Sequence, residues 1–159
     1  MSRIYEDYYR EITAADGTIQ GVETRFDEHF NFAYDVVDRH ARECPEKLAL
    51  LHRSTDGIVT RYTFADIKRL SDKAANAFLA QGIGRGEAVM LLLKRRAEFW
   101  VAIVALHKLG AVAVPTSHMV SAEDIAARAK AAAPMTRGTR SRWGRRRPGT
   151  RAAHAACGT

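Results

Sequence analysis

Three consecutive cations, Lys94-Arg95-Arg96, follow directly on the apolar run Ala88-Val89-Met90-Leu91-Leu92-Leu93. A strand ending there puts them at the C-terminal edge of an α/β sheet, where such sheets usually bind ligands. They are placed to meet an anion, although three basic residues in one loop are more often simply solvated. The glycines of Gly82-Ile83-Gly84-Arg85-Gly86 invite a phosphate-loop interpretation, but the order of elements opposes it. A phosphate-binding turn lies between a strand and the start of a helix, where amides and the helix dipole converge on the anion. Here a helical pattern comes first and the strand second. Gly82 is therefore expected as a left-handed helix cap, with Gly84 and Gly86 shaping the return. His40 lies on a helix stripe with no partner in view and is expected to be structural. Two cysteines, Cys44 and Cys157, are too few for a metal site or a disulfide framework. Cys44, at helical spacing among apolar neighbours, is expected as a small core residue.

The elements that would position these residues read as an α/β unit. A helix is expected at about Thr63–Gln81, with Thr63 and Asp66 as a capping box. Its buried stripe is Phe64, Ile67, Leu70, Ala74, Ala77 and Phe78, and its solvated face Lys68, Arg69, Asp72 and Lys73. After the glycine turn come a strand at Ala88–Leu93, a helix at about Arg96–Leu109 and a strand at Ala111–Pro115. Strand, helix and strand with a tight Leu109-Gly110-Ala111 return make a βαβ crossover, the unit of a parallel sheet. The middle helix is apolar nearly all round, through Phe99, Trp100, Val101, Ile103, Val104 and Leu106, and so expects burial on most sides.

Upstream, Lys47–Arg53 and Ile58–Tyr62 are read as the two strands of a hairpin around Ser54-Thr55-Asp56-Gly57, with Asp56-Gly57 in the turn. Before it, a helix carries Phe32, Val36, Val37, His40 and Cys44 on one face. Asp35, Asp38, Arg39, Arg42 and Glu43 face outward, Asn31 is the N-cap and Pro45 the stop. Residues 3–13 are read as a short helix bearing Tyr5, Tyr8, Tyr9 and Ile12, and Ala15–Glu23 as turn-rich. The tyrosines, without interleaved cations, are expected to pack on the body and not to stack on bases. Past Pro115, Ser121 and Asp124 repeat the capping-box pattern ahead of a helix through Ile125–Lys130.

Charge separates the chain into two parts. Of 25 basic residues, seven arginines fall in residues 134–159, which hold no acid and no lysine. The first 133 residues thus carry 18 basic and 18 acidic side chains, a neutral body with a basic tail. The high isoelectric point is no sign of a nucleic-acid-binding domain. The N-terminus has acids where a secretory signal needs an apolar run. The longest apolar stretch, Phe99–Leu106, is eight residues, against the roughly 18–20 of a membrane span. A soluble cytoplasmic protein is expected.

Three segments carry a family resemblance: Phe30-Asn31-Phe32-Ala33-Tyr34-Asp35-Val36-Val37-Asp38, Arg61-Tyr62-Thr63-Phe64-Ala65-Asp66-Ile67, and Leu106-His107-Lys108-Leu109-Gly110-Ala111-Val112-Ala113-Val114-Pro115. In order and spacing they resemble the start of an AMP-forming acyl-CoA synthetase of the adenylate-forming superfamily, in its acetyl and medium-chain branch. The resemblance covers about residues 26–133 and implies a partial N-terminal α/β subdomain, a β-hairpin plus a parallel βαβ unit with flanking helices. Residues 1–25 are then a lead-in. For the parent enzyme it implies a small carboxylic acid, ATP, Mg²⁺ and coenzyme A as reactants and cofactors, with acyl-CoA, AMP and pyrophosphate as products. It implies no catalytic residue and no metal ligand in this chain, because both motifs belong to the scaffold. Only Thr116, Ser117 and His118 fall where the family places a loop near the coenzyme A channel.

The family pattern stops at about Pro134. No Thr-Ser-Gly-Thr-Thr-Gly-x-Pro-Lys phosphate loop follows, and residues 134–159 contain no Ile, Leu, Val, Phe or Tyr. The segment is read as a disordered Arg/Gly-rich tail, the product of a frameshift in a G/C-rich coding sequence. None of the parent's cofactors is then expected to bind productively, and the chain is read as inactive alone. Two alternatives are a basic-tailed module that meets nucleic acid or an acidic partner non-specifically through the tail, and a fragment complementing a separately encoded remainder.

Overall fold

Alternation and a tight turn decide the first element of the computed structural model, which describes residues 4–26 and 28–132. Tyr9–Thr13 (β1) pairs antiparallel with Ile19–Thr24 (β2), after a 3-10 turn at Ile4–Asp7. This corrects the expected helix over residues 3–13. Ile12, Thr13, Thr18, Ile19 and Val22 are β-branched and suit the pleat. Asp16 accepts the Thr18 N–H at 2.9 Å to close the turn.

The next segment winds as a π-helix, Ala33–Asp38, and continues as α1, Arg39–Glu43. Asn31 caps it as expected: its Oδ1 accepts the Ala33 N–H at 2.9 Å, while Asp35 Oδ2 accepts the Asn31 N–H at 2.7 Å. The outward face is not as expected. Asp38 is buried and Phe32 exposed, because the wider i→i+5 winding lines Asp38 up with Ala33 and not with the polar face. Cys44, half-buried, ends α1 before Pro45.

Leu48–Arg53 (β3) and Val59–Thr63 (β4) form the expected hairpin, with Gly57 at positive φ. Thr63 then caps α2, Phe64–Ala80, through both bonds of a capping box. The buried line of α2 is Ile67, Ser71 and Ala75, and Ala77 is exposed. The small residues Ser71 and Ala75 let α3, Ala97–Leu109, lie close against α2. An apolar-only stripe could not reveal a buried serine, whose hydroxyl donates to the Lys68 carbonyl at 3.0 Å.

Between these helices lies β5, Ala88–Leu91, and after α3 comes β6, Val112–Pro115, parallel to it with Leu91 opposite Pro115. The crossover is the expected one, though β5 stops before Leu92 and Leu93, which are exposed. Helix α3 serves two cores at once. Val104 joins Ala33, Val37 and Ile67 on one side. Ala102 and Leu106 join Leu91 and Ala111 on the other, with Phe78, Phe99 and Ile103 packed around them. That double burial explains its apolar circumference, although Trp100 keeps 54% of its surface exposed. A last helix, α4 at Ala122–Ala132, starts at the expected Ser121–Asp124 box and buries no residue. Among the described residues no helix is long and apolar enough to cross a membrane. Residues 134–159, expected as a disordered tail, lie outside the described residues.

Both long helices end the same way. Gly82 N–H donates to Leu79 O at 2.9 Å and Ile83 N–H to Phe78 O at 3.0 Å. Gly110 N–H donates to His107 O at 3.0 Å and Ala111 N–H to Leu106 O at 2.9 Å. This double bond pattern needs a left-handed residue, which glycine adopts without a Cβ penalty. Gly110 has φ 65°, and a Cβ there would come within 3.3 Å of Arg85 Cγ. Gly110→Ala is therefore expected to lower stability in chemical denaturation by about 1–2 kcal/mol. Gly84→Ala, with φ unremarkable and no atom within 4 Å, should change it by no more than about 0.5 kcal/mol or raise it slightly. Equal losses at the two sites would contradict this account of the α3–β6 return.

Candidate functional site

Parallel pairing of β5 and β6 brings two loops to one end of the sheet. Lys94, Arg95 and Arg96 leave β5 and lead into α3, and Thr116, Ser117 and His118 leave β6. All three cations are exposed. Arg96 precedes α3 without a capping side-chain bond. The loop is tied down through its backbone: Arg96 N–H donates to Lys94 O at 2.6 Å, and His52 Nε2 lies 3.1 Å from Arg95 O.

The β6 loop divides by burial. Thr116 is buried, its N–H donating to Leu91 O at 3.0 Å and its Oγ1 to Val114 O at 3.3 Å. It locks the end of the parallel ladder. Ser117 and His118 are exposed, and Ser117 Oγ accepts the Met119 N–H at 3.2 Å, shaping the turn. Met119 stands 84% exposed beyond it. Chemically, this edge offers positive charge and small polar groups. Among the described residues no three His, Cys, Asp or Glu side chains converge as metal ligands.

The most concentrated electrostatics lie elsewhere, under the π-helix. Lys108 of α3, with 3% of its side chain exposed, has its Nζ 2.6 Å from Asp72 Oδ1 and 2.8 Å from Asp38 Oδ1. The Asp72 contact is an aligned hydrogen bond, whereas Asp38 Oδ1 is held by charge without hydrogen-bond alignment. Lys68 Nζ meets the other Asp72 oxygen at 2.6 Å. Burial would raise the Asp72 pKa, but the hydrogen bonds from Lys108 and Lys68 outweigh it and hold the carboxyl below its usual range. Tyr34 reaches the Lys108 carbonyl at 3.3 Å, and its phenol is pushed up by burial and then by the charges of Asp38 and Asp72.

Asp72 is thus more than part of a solvated face, and Asp38 and Lys108 are core groups. The only hint in the sequence was a lone lysine in the last turn of a mostly apolar helix. His40 is half-buried, its ring 4.4 Å from that of Phe64, as its structural assignment anticipated. Lys94–Arg96 face solvent at the sheet edge, whereas Lys108 is sealed inside.

A family model described as AMP-binding enzyme matches residues 37–138. The chain belongs to that family. The chain is 36% identical over 86 residues to an acetyl-coenzyme A synthetase of Burkholderia mallei (strain SAVP1), covering 54% of this chain and 13% of the relative. The chain therefore spans 13% of the length of the curated relatives it matches. Its fold is similar to the Brucella canis acyl-CoA synthetase, with TM-score 0.64 and 26% identity, over 67% of this chain and 19% of that one. A Mycobacterium tuberculosis fatty acyl CoA synthetase is similar at TM-score 0.51 and 28% identity, over 60% of this chain and 18% of that one. The expected α/β class, a partial N-terminal subdomain of an adenylate-forming enzyme, is the one found.

Within this AMP-binding subdomain the two halves of the β6 loop should separate experimentally. Thr116→Val removes a buried hydrogen bond and is expected to cost about 1 kcal/mol of unfolding free energy. Ser117→Ala and His118→Ala should each stay within about 0.5 kcal/mol. A neutral Thr116→Val would remove Thr116 from the scaffold and mark it as free for ligand contact.

Proposed function

We propose that residues 26–133 are scaffold of the N-terminal domain of an AMP-forming acyl-CoA synthetase, and that these 159 residues do not catalyse adenylation by themselves. The observation that carries this is the βαβ unit with its Leu106–Pro115 return, inside a segment matched along 37–138 by the AMP-binding model. In the parent reaction a carboxylate oxygen attacks the α-phosphate of ATP, forming acyl-adenylate as pyrophosphate leaves. The thiol of coenzyme A then displaces AMP to give acyl-CoA. Such a reaction suits a cytoplasmic ligase of fatty-acid or acetate metabolism, and the names of the relatives favour that setting.

Adenylation needs phosphate charge stabilised by preorganised donors and Mg²⁺. The described residues do not fit that task. The sheet edge has cations but no carboxylate cluster to hold Mg²⁺, and Lys94–Arg96 attract an anion without orienting it. Attraction that does not favour the transition state leaves the barrier unchanged. What this chain supplies is position: β5 and β6 set the sheet edge, and the Thr116-Ser117-His118 loop is proposed to lie beside the coenzyme A channel. In this account residues 1–25 are a lead-in, and residues 134–159 stand apart as a frameshifted tail.

The purified chain, freed of host synthetases, is expected to give no acid-dependent ATP–pyrophosphate exchange above buffer with acetate through octanoate. Losing one stabilising donor typically costs about 10²–10³ in rate, and here the set is absent from the described residues. Exchange that co-purifies with the chain and disappears when Lys94, Arg95 and Arg96 are neutralised would overturn the proposal.

A further inference from the structure

The N-terminal arm, residues 4–26, is fastened to the rest of the chain through the helical segment Ala33–Glu43. Asp7 meets Arg39 at 2.6 Å, Tyr8 donates its hydroxyl hydrogen to Asp35 O at 3.1 Å, and the Tyr8 ring packs edge-on against Phe30 at 4.8 Å. Arg39 is itself held by Glu43 at 3.0 Å. The same segment is fastened below to α2 and α3. Asn31 Nδ2 donates to His107 O at 2.7 Å, Tyr34 to Lys108 O, Asp38 faces Lys108 Nζ, and the His40 ring lies over Phe64.

Two histidines sit in this seam with a weakness in common. Nδ1 of His40 and Nδ1 of His107 are both buried, and neither has a hydrogen-bond partner. A neutral ring tolerates that, since only a lone pair is left unmatched. A protonated ring does not, because a buried N–H of a cation would then lack an acceptor. We infer that the segment Ala33–Glu43 is an acid-released clasp: protonation of His40 and His107 frees it, and the arm it carries, from α2 and α3.

The surroundings favour release. His40 is flanked by the cations Lys47 and Arg39 and by one anion, Glu43, and the α2 group against it is the neutral Phe64 ring. Burial first, then Lys47, lowers its pKa. His107 meets the Phe32 ring edge, its backbone carries the neutral Asn31 amide, and burial lowers its pKa. The neighbouring charges across the seam, Asp38, Lys108, Asp72 and Lys68, already pair with one another.

The sign follows from linkage. With the closed-state pKa values depressed, the open segment binds more protons, so closure is fully stable above the ordinary histidine pKa of about 6.5 and weakens as pH falls below it. Each histidine can change the opening constant by at most about tenfold per pH unit in that window. Asp72, held below the usual carboxylate range by Lys108 and Lys68, titrates lower, and the histidine variants separate the two effects.

The test is segment-resolved hydrogen exchange on the full chain at pH 7.5 and 5.5, corrected for intrinsic rates. Protection in residues 33–43 is expected to fall by about tenfold or more, with amides of the 4–26 arm following, while α2 and α3 keep theirs. In His40→Phe/His107→Phe, and separately in His40→Gln/His107→Gln, that loss should vanish. Loss of α2 and α3 protection in step with the segment would overturn the inference even if neither variant folds. So would an undiminished pH effect in a folded double variant.

Discussion

A lysine ammonium with 3% of its side chain exposed cannot be left to itself. Removing a charge from water costs several kcal/mol after relaxation, and only close, well-placed counter-charges compensate. Asp38 and Asp72 provide them from two different elements, so Lys108 joins the π-helix and α2 to the last turn of α3. A cation there also suits the negative end of the α3 dipole. The next residues, Leu109 and Gly110, turn the chain into β6. The register of the parallel pair and the placement of the sheet-edge loops therefore rest on a helix end secured by this cluster.

Packing around α3 makes the same helix central in a second way. It supplies buried residues to both hydrophobic cores among the described residues, Val104 to one and Leu106 to the other. Small residues at the crossing, Ser71 and Ala75 on α2, allow the approach that brings Lys108 to Asp72. The AMP-binding family resemblance attaches to this scaffold: its Leu106–Pro115 motif contains the cluster's lysine, the left-handed turn and the strand. Function in a longer parent would depend on what the scaffold presents at the C-terminal ends of β5 and β6.

Much of this was legible in sequence because local chemistry and tertiary packing agree. The two capping boxes, the Asp56-Gly57 hairpin, the βαβ order and the glycine helix ends were each marked by residues whose preference is intrinsic. The first hairpin was missed because tyrosine spacing in residues 3–13 fits a helix, and the alternation that favours a strand is short. Asp38 was assigned outward because an ideal 3.6-residue period says so, and nothing local announces a π-helical winding. Ser71 and Lys108 were hidden for another reason: buried polar residues are identified by their partners, and those partners are distant in sequence. For the sheet-edge loops, the family motif indicated a place, while the division between buried Thr116 and exposed Ser117 and His118 required the fold.

The central claim is that Asp38 and Lys108 act as one unit holding the π-helix to α3, and a double-mutant cycle measures this most directly. With Asp38→Asn, Lys108→Met and the pair compared by urea unfolding, Lys108→Met alone should cost about 3–5 kcal/mol, because it leaves a buried carboxylate uncompensated. The double variant should cost clearly less than the sum of the singles, with a coupling of about 1–3 kcal/mol. Additive losses, or a Lys108→Met variant within about 0.5 kcal/mol of the parent chain, would contradict the account.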